Sequence, residues 1–426
     1  MYNCIEVRKL LIQFNFENFK SFLNETSLDM TATNITEHSE NLINYKKGEK
    51  YLKVAAIYGA NASGKTNVLK AFSLMSYWVR NSFKEAGERE GVPQKRFKFE
   101  KEGKKGKALF EVFFEIDGKE YQYGYRADNK KIYEEWLYKR DFKFKSKYIL
   151  IFERKNQEFN MNDELLKKKE LLDRMNESTL AISILSGYEI NDIENVYKWF
   201  LKTNVLRLGD VSFEHLLSKA LPINPYKRGK EYDRFIEYVK TFDLGIEGLR
   251  IEKIGNSDSD LNEDFENGSP DIYRIFSQHV NKDTNDIEEL PLQEESGGTQ
   301  KMISIYSFLV KALDYGSTLI IDEMDAKLHP LLIRYIINMF QFEETNPNNA
   351  QLIFTTHNVN DLNKDLFRRD QIWFVEKDEN GVSDLFSLAE YKQNDKKVRK
   401  DASYGKDYLA GRYGAIPDLK DFHVSE

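Results

Sequence analysis

The sequence predicts an α/β fold in which helices flank a mostly parallel sheet, with an antiparallel β arm and a helical insertion added to it. Three short runs have an apolar centre that is typical of buried strands: Val54 to Tyr58, Ser317 to Glu323 and Ala350 to Thr356. Strands have this pattern when helices cover both faces of a parallel sheet. Within Gly87 to Tyr148 apolar and polar residues alternate instead, which predicts antiparallel strands.

Length limits the domain organisation. The chain has 426 residues, and a domain takes about 100 to 200 residues, so two or three domains are expected. We predict four segments: an N-terminal lobe, the β arm, the helical insertion and a C-terminal lobe, at residues 1–86, 87–155, 156–245 and 246–426.

Composition narrows the class of protein. The net charge of −7 gives no overall basic excess of the kind that favours bulk nucleic-acid binding. Cys4 is the only cysteine, so no intramolecular disulfide can form, which is typical of a reducing compartment. Met1 to Met30 carries charges throughout, unlike a signal peptide, and no apolar run approaches the roughly 18–20 residues of a membrane span. We expect a cytoplasmic protein without a membrane partner.

The remaining elements follow from local patterns. Leu10 to Met30 alternates in two parts around a turn, which predicts a strand pair at the edge of a nucleotide-binding domain. Asp117-Gly118 predicts a hairpin within the arm. The acidic, turn-rich stretch Gly255 to Asp271 predicts a surface loop. Further strands are predicted at Ile246 to Ile254 and Gln371 to Glu376, and helices at Asn67 to Met75, Asn162 to Leu185, Ile190 to Leu206, Phe213 to Ala220, Lys230 to Phe242 and Leu331 to Phe340.

The arm is rich in basic residues interspersed with aromatic ones. One interpretation is a nucleic-acid or partner surface. The other, which the acidic total charge favours, is the solvated outer face of a sheet whose lysines protect its edges. The residues are Lys95, Arg96, Lys98, Lys101, Lys104, Lys105, Lys107, Lys139, Arg140, Lys143, Lys145 and Lys147.

A phosphate-binding loop follows the first buried strand. Gly59 to Thr66 matches G-x-x-x-x-G-K-T between a predicted strand and a predicted helix. Its amides and the helix N-terminus favour an anion, Lys65 can reach the β- and γ-phosphates, and the Thr66 hydroxyl can ligate Mg²⁺. We therefore predict ATP binding through Asn61, Ala62, Ser63, Gly64, Lys65, Thr66 and Asn67.

Polar residues follow two other buried strands. Asp322 ends one strand and is predicted to hold Mg²⁺ opposite Thr66, directly or through water. Glu323, predicted on the other side of the strand's pleat, can act as general base or orient the attacking water. His357 follows another strand, and ligands of open α/β sheets gather at the carboxyl ends of strands. A lone histidine is more often structural, but this position favours contact with the γ-phosphate.

Ser296, Gly297 and Gly298 lie just before a predicted helix, far from the first loop in sequence. Glycines allow close backbone approach, and the serine with the helix N-terminus favours an anion. One nucleotide needs one loop, so this second feature is predicted to serve the nucleotide of a second copy in a head-to-tail dimer. An ordinary capped helix start remains the alternative.

These motifs together resemble the ABC-type ATPases of the SMC, RecF and OLD branch, which implies a P-loop NTPase fold with an ABC-type ATPase head. Gly59 to Thr66 resembles the Walker A motif and Thr318 to Glu323 resembles Walker B. Met324 to Lys327 resembles the D-loop, which implies a catalytic role for Asp325, and His357 resembles the switch histidine.

Ser296-Gly297-Gly298 resembles the ABC signature, although its flanks differ. Glu295 and Thr299 stand where transporters usually have leucine and glutamine, and E-S-G-G-T is more similar to the non-transporter branch. The resemblance assigns no Q-loop glutamine, because Gln94 and Gln122 lie in the predicted arm.

Further stretches are similar to a bacterial group of ATP/GTP-binding proteins that includes RloA, the AbiL ATPase and the AriA ATPase of the PARIS system. They are F-E-N-F-K-S-F near the start, T-T-H-N, Arg368 to Asp378, Val398 to Lys400 and Tyr408 to Pro417. The resemblance implies anti-phage defence with a homodimer or higher homo-oligomer and a separately encoded effector, such as a TOPRIM- or RloB-type nuclease. The trigger would be a nucleic acid or a phage protein. About fifty residues follow Glu376, too few for an independent nuclease domain.

Three other functions remain open at this point. A DNA-repair ATPase of the RecF kind would bind duplex DNA through the basic arm. The long insertion and the signature departures disfavour an ABC transporter subunit. A scaffold that binds ATP without hydrolysis would have no need of Glu323.

Overall fold

The computed structural model describes residues 9–45, 48–85, 91–93, 95–142, 146–210, 229–243, 245–256, 271–393 and 395–417. The chain divides into two compact units. The first comprises Met1–Leu206, Ala312–Glu323 and Ile336–Glu426, and the second comprises Arg207–Lys311 and Met324–Tyr335.

The strands are, in chain order, β1 (Lys9–Glu17), β2 (Thr26–Asp29), β3 (Leu42–Asn44), β4 (Lys50–Leu52), β5 (Val54–Gly59), β6 (Ala108–Ile116), β7 (Lys119–Ala127), β8 (Ile132–Asp141), β9 (Ile149–Lys155), β10 (Glu158–Met161), β11 (Asn204–Arg207), β12 (Gly248–Asn256), β13 (Asp271–Val280), β14 (Ile287–Pro291), β15 (Thr318–Asp322), β16 (Gln351–Thr355), β17 (Ile372–Lys377), β18 (Ser383–Ser387), β19 (Lys392–Gln393) and β20 (Lys396–Lys397). The α-helices are α1 (Lys65–Glu85), α2 (Lys101–Lys105), α3 (Asp163–Leu166), α4 (Lys169–Leu172), α5 (Ala181–Leu185), α6 (Asn191–Lys202), α7 (Lys230–Lys240), α8 (Gly297–Tyr315), α9 (Pro330–Gln341) and α10 (Tyr404–Leu409).

A six-stranded sheet carries the predicted nucleotide motifs. Its order is β11-β15-β16-β5-β17-β18, and β15, β16, β5 and β17 run parallel to one another. β5, β15 and β16 are buried along their whole length, which explains why their sequences are apolar on both faces. The predicted α/β fold with a mostly parallel sheet is therefore confirmed. β18 pairs antiparallel with β17, so a further strand follows the one that was predicted to be the last.

A seven-stranded antiparallel sheet forms the β arm, in the order β10-β9-β8-β7-β6-β1-β2. Asp117 and Gly118 have φ of 51° and 77° in the turn between β6 and β7, as the hairpin prediction requires. The predicted strand pair within Leu10 to Met30 exists as β1 and β2. It belongs to the sheet of the arm, because β1 pairs with β6.

One aromatic core joins α1 to the strands of the first unit. Val68, Leu69, Phe72 and Met75 are buried at the helical spacing that predicted α1, and the helix extends ten residues beyond that prediction, to Glu85. Phe72 packs edge-to-face on Phe14 of β1, with ring centroids 5.2 Å apart. Burying an aromatic side chain stabilises a fold by about 1.5–3 kcal/mol, so this core fixes the position of α1.

The helical insertion differs from its prediction. Asn162 to Leu185 is not one helix but three short ones, α3, α4 and α5. Asn176 accepts hydrogen bonds from the amide and hydroxyl of Ser178, and this turn ends the helical path before α5 begins. The second predicted helix ends at Lys202 and continues as β11. The predicted helix Phe213 to Ala220 lies outside the described residues, as does most of the predicted loop Gly255 to Asp271.

The second unit contains α7, most of α8 and the antiparallel sheet β12-β13-β14. Tyr238 of α7 is buried against Tyr306 of α8, and its hydroxyl donates to the Met302 carbonyl at 3.1 Å. The predicted helices at Lys230 to Phe242 and after Gln300 are confirmed as α7 and α8. Across the described ranges no helix is both long and apolar enough to cross a membrane.

Candidate functional site

The loop between β5 and α1 turns through three residues with positive φ: 155° at Gly59, 61° at Ala62 and 122° at Gly64. A Cβ at Gly59 would lie 2.4 Å from the carbonyl oxygen of Val375, and a Cβ at Gly64 would lie 2.7 Å from Ser383 Oγ. Both glycines are therefore required by close approach as well as by φ.

Two buried side chains indicate that the loop receives an anion. Lys65 is buried, and its ammonium group donates to the carbonyls of Gly59 at 2.8 Å and Ala60 at 3.0 Å. Ser63 Oγ is buried and has no hydrogen-bond partner among the described residues. Leaving a buried polar group unsatisfied costs about 1–3 kcal/mol. A phosphate at the N-terminus of α1 would satisfy it, so the residues present fit a nucleotide.

The β17–β18 hairpin holds the outer side of this loop. Lys377 donates to the carbonyl oxygen of Ala62, and Ser383 Oγ donates to the carbonyl oxygen of Ser63. Ser21 takes part as well, because its Oγ accepts from Asn67 Nδ2 at 2.8 Å. Two of the residues that fix the loop shape, Lys377 and Ser383, are thus more than 300 positions away, and Asn67 supports the loop from the first turn of α1.

Thr66 and Asp322 form the candidate magnesium site. Thr66 Oγ1 lies 3.2 Å from Asp322 Oδ1, and the Asp322 side chain is buried at the end of β15. Two adjacent ligands of an octahedral Mg²⁺ with bonds of about 2.1 Å lie about 3 Å apart, so the spacing of these oxygens fits the ion. Bound Mg²⁺ would neutralise charge on the phosphates.

Thr355 links this pair to Glu323. Its Oγ1 donates to Asp322 Oδ1 at 2.6 Å and accepts from the Glu323 amide at 2.8 Å. Glu323 is half-buried and has φ of 53°, so it lies beyond the end of β15 in a left-handed conformation. The prediction that Glu323 continues the strand's pleat is therefore wrong, because the backbone reverses there.

His357 is exposed, two residues after the end of β16. The following turn is rigid, because Asn358 caps it by accepting from Asn360 and donating to Asp361 at 2.9 Å. Thr356 donates its amide to the Ile57 carbonyl and so ties this segment to β5. The predicted γ-phosphate sensor thus lies on a fixed loop beside the strand that carries the phosphate-binding loop.

The signature-like residues lie in the second unit. Ser296 Oγ accepts from the Thr299 amide at 3.1 Å and lies 2.8 Å from Thr299 Oγ1. Thr299 Oγ1 donates to Asp243 Oδ2 at 3.0 Å. Glu295 accepts from Ser277 Oγ and lies 2.7 Å from His279 Nε2. The two residues that depart from the transporter pattern, Glu295 and Thr299, are thus the ones that anchor the turn.

The D-loop-like residues approach the signature within the same unit. A Cβ added at Gly298 would lie 3.5 Å from the Lys327 carbonyl oxygen. Lys301 is buried and donates to the carbonyls of Ala326 and Leu208. Asp325 is half-buried at the start of this turn, and its carbonyl accepts from the Leu328 amide at 3.3 Å.

Each unit therefore assembles its own set of predicted residues. The first places Lys65, Thr66 and Asp322 together, with Glu323 joined to them through Thr355. The second joins Ser296 to Gly298 with the turn that contains Asp325. The sequence analysis did not assign the roles of four residues: Thr355, Ser383, Lys377 and Asp243. Only Thr355 had a sequence signal that could have identified it, the pair of threonines before His357.

Several basic residues on the strands of the arm are paired with acids. Arg140 forms two hydrogen bonds to Glu120, at 2.7 and 2.8 Å, and Lys139 contacts Asp192. Burial opposes the charge of Arg140, but Glu120 outweighs burial and raises the pKa of the guanidinium. Further pairs are Arg126–Glu17, Lys107–Glu134 and Lys119–Asp141. At Lys107, Lys139 and Arg140, the three of these residues that belong to the basic set predicted from the sequence, the pairing favours a sheet surface over a nucleic-acid surface.

Comparisons with solved structures give remote similarity only. The SMC head domain from Thermotoga maritima is 14% identical, with a TM-score of 0.42 over 89% of this chain and 98% of that one. RecF-ATP, a recombination mediator protein of the RecFOR pathway, is 12% identical, with a TM-score of 0.37 over 91% of this chain and 100% of that one. No curated protein matches the sequence.

A family profile matches residues 54–362, from β5 to the turn after His357. The family is described as "AAA domain, putative AbiEii toxin, Type IV TA system". The match covers most of the chain and includes the phosphate-binding loop, Asp322 and Glu323. The protein is therefore a P-loop NTPase, and the chain belongs to this AAA-domain family.

Proposed function

We propose that this protein is an ATPase that binds ATP with Mg²⁺, associates head to tail with a second copy and uses hydrolysis as a conformational switch. The observation that carries the proposal is the spacing of 3.2 Å between Thr66 Oγ1 and Asp322 Oδ1, beside a loop with a buried lysine and an unsatisfied buried hydroxyl. A P-loop that serves only as a structural turn has no need of this combination.

Each predicted site residue has a separate role in the binding or hydrolysis of ATP. Lys65 and the amides of Asn61 to Asn67 bind the phosphates, and Thr66 and Asp322 hold Mg²⁺. Glu323 orients or deprotonates the attacking water, and His357 reports the γ-phosphate. Ser296, Gly297 and Gly298, with Asp325, complete the site on the second copy.

The biological role that we propose is regulatory. The family description names a toxin of a type IV toxin–antitoxin system, and the sequence resembles bacterial anti-phage ATPases such as RloA, AbiL and AriA. We infer a sensor ATPase that acts in anti-phage defence on a separately encoded effector, a TOPRIM- or RloB-type nuclease, after a nucleic acid or phage protein triggers it. The alternative of a RecF-like DNA-repair ATPase is weaker, since some of the arm's cations, Lys107, Lys139 and Arg140, pair with acids.

The biochemical test combines association with hydrolysis. Mass photometry of wild type and Glu323→Gln, with and without ATP–Mg²⁺, is run beside a phosphate-release assay. We expect wild type to release phosphate and Glu323→Gln to accumulate an ATP-dependent oligomer. Glu153→Gln, which alters an acid of β9 in the arm, is the matched control. A monomer that releases no phosphate under all conditions would overturn the proposal.

The biological role is tested in cells. A plasmid with the gene and its native neighbours is challenged with a phage panel, and plaque numbers are compared with those of the Lys65→Ala version. Protection that requires Lys65 supports the defence role. Absence of protection against every phage, despite ATPase activity in vitro, removes that role and leaves the enzyme activity standing.

A further inference from the structure

The signature-like turn contains a directed chain of hydroxyl groups that ends on a carboxylate. The chain runs from Ser296 Oγ to Thr299 Oγ1 over 2.8 Å, and from Thr299 Oγ1 to Asp243 Oδ2 over 3.0 Å. Thr299 is buried, and Asp243 is half-buried just after α7. The other carboxylate oxygen of Asp243 accepts from the Gly245 amide at 3.2 Å.

The direction of this chain follows from counting protons. A hydroxyl has one proton, and an ionised carboxylate can only accept. Thr299 therefore gives its proton to Asp243, and the proton between the two hydroxyls must come from Ser296. Ser296 Oγ also accepts from the Thr299 amide at 3.1 Å. The Ser296 proton is thus used in the hydrogen bond to Thr299 Oγ1. The Ser296 hydroxyl can then act toward a ligand only as an acceptor.

A phosphate oxygen needs a donor, not an acceptor. As described, the turn offers backbone amides of Gly297 and Gly298 to an anion, but the Ser296 hydroxyl would repel it. To donate to a phosphate, Ser296 has to release Thr299, which costs one hydrogen bond to a buried hydroxyl. The loss of such a bond changes an equilibrium constant by only about three- to ten-fold, so these hydroxyl groups oppose phosphate binding by a limited amount.

We propose that Thr299 and Asp243 are positioning residues that hold the Ser296 hydroxyl in a non-donating state and so raise the ATP concentration needed for self-association. This inference rests on the proposed function, because the phosphate in question is that of the nucleotide on a second copy. It also gives a reason for threonine at position 299, where transporters usually have glutamine, because a glutamine has no hydroxyl group to link Ser296 to Asp243.

The test measures the ATP concentration that association requires, because aggregation of a misfolded variant would not depend on ATP. In the Glu323→Gln background, mass photometry gives the ATP concentration for half-maximal association at fixed Mg²⁺. Thr299→Val keeps the amide bond and the shape but removes the hydroxyl, which frees the Ser296 proton. Asp243→Ala removes the terminal acceptor instead. We expect each to lower the half-maximal ATP concentration about three- to ten-fold.

Two variants serve as matched controls. Thr299→Ser keeps the hydroxyl and should leave the midpoint unchanged. Ser304→Ala removes another hydroxyl of α8, one that donates to the Gln300 carbonyl at 2.7 Å and has no part in the chain. It should also leave the midpoint unchanged. ATP affinity of the isolated chain, measured below the association concentration, should be equal in all five proteins.

The outcomes separate this inference from the proposed function. Association that needs the same or more ATP in both Thr299→Val and Asp243→Ala, with unchanged melting temperatures, overturns the inference alone. If only one of these two variants has a lowered melting temperature, the result of the other variant decides whether the inference holds. If the Glu323→Gln parent never associates with ATP, the proposed function falls and this inference falls with it.

Discussion

The Thr355 hydroxyl lies 2.6 Å from Asp322 Oδ1 and 2.8 Å from the Glu323 amide nitrogen, so one side chain positions both carboxylate residues of the candidate site. Thr355→Val keeps the shape and removes both hydrogen bonds. Loss of such a supporting residue typically costs about 10- to 100-fold in metal affinity or activity. We expect phosphate release to fall by that factor and the Mg²⁺ requirement to rise, whereas Thr355→Ser stays near wild type. Equal activity of the valine and serine variants would contradict this role.

Lys65→Ala should abolish tight ATP binding. The buried ammonium group is the only side-chain cation of the loop, and a hydrogen bond to a charged group contributes about 1.5–3 kcal/mol. That loss corresponds to a dissociation constant for ATP that is about 10- to 100-fold higher. It is measured with a fluorescent ATP analogue. Lys70→Ala, one turn further along α1, is the control and should bind normally. Wild-type affinity in Lys65→Ala would remove the loop from its assigned role.

Gly64→Ala should damage the loop more than φ alone predicts. Its φ is 122°, and the new Cβ would meet Ser383 Oγ at 2.7 Å and Ser21 Oγ at 2.8 Å. Gly118→Ala provides the comparison, because Gly118 has φ of 77° and open space around it. We expect Gly118→Ala to lower stability by about 1 kcal/mol without effect on ATP binding. Gly64→Ala should lose ATP binding, and retained binding would show that Ser383 and Ser21 move aside.

Glu135 and Arg154 form a fully buried ion pair 3.8 Å apart. Glu135 also accepts from the amides of Ala181 and Ile182 at the start of α5. Removing one member of a buried pair leaves a charge uncompensated, which costs about 3–5 kcal/mol. We expect Glu135→Ala and Arg154→Ala each to lower the free energy of unfolding by this amount in urea titrations. The double variant should lose less than the sum of the two, and strict additivity would contradict the pairing.

The same pair predicts a pH dependence. Burial raises the pKa of Glu135 above its ordinary 4.5 and outweighs the opposing effect of Arg154. The folded chain therefore binds this proton more tightly than the unfolded chain does. Its contribution to stability is largest below the unfolded pKa and is lost as pH rises through the raised pKa. The free energy of unfolding of wild type relative to Glu135→Gln should therefore fall as pH rises from below the unfolded pKa of Glu135 through its raised folded pKa. A difference that does not change with pH would contradict this expectation.

Local motifs were enough to predict the central part of the site. β5, the loop and α1 lie within one continuous stretch, so glycine spacing, apolar runs and helical periodicity specify them without knowledge of distant contacts. The same holds for Asp322 at the end of β15 and for the presence of Glu323 next to it, although the reversal of the backbone at Glu323 was not predicted. Thr355 could not be assigned this way, because its role depends on β16 lying between β5 and β15, an order that only long-range pairing determines.

The errors have the same origin. Residues 162–185 have helical propensity, but Arg154 binds the carbonyl of Thr179 at 2.7 Å, and Glu135 fixes the start of α5. This buried network overrides the local preference between α4 and α5. Likewise, β1 alternates as any edge strand would, and only its pairing with β6 assigns it to the arm.

The position of β5 between β16 and β17 also has a consequence for synthesis on the ribosome. Its two neighbours begin at Gln351 and Ile372, so the strand leaves the exit tunnel long before either exists. At about 5–20 residues per second, roughly 15–60 s pass before β5 can be paired. During that interval an apolar strand has two open edges, and a prematurely terminated chain keeps them open. Truncated products should therefore depend on chaperones to stay out of aggregates.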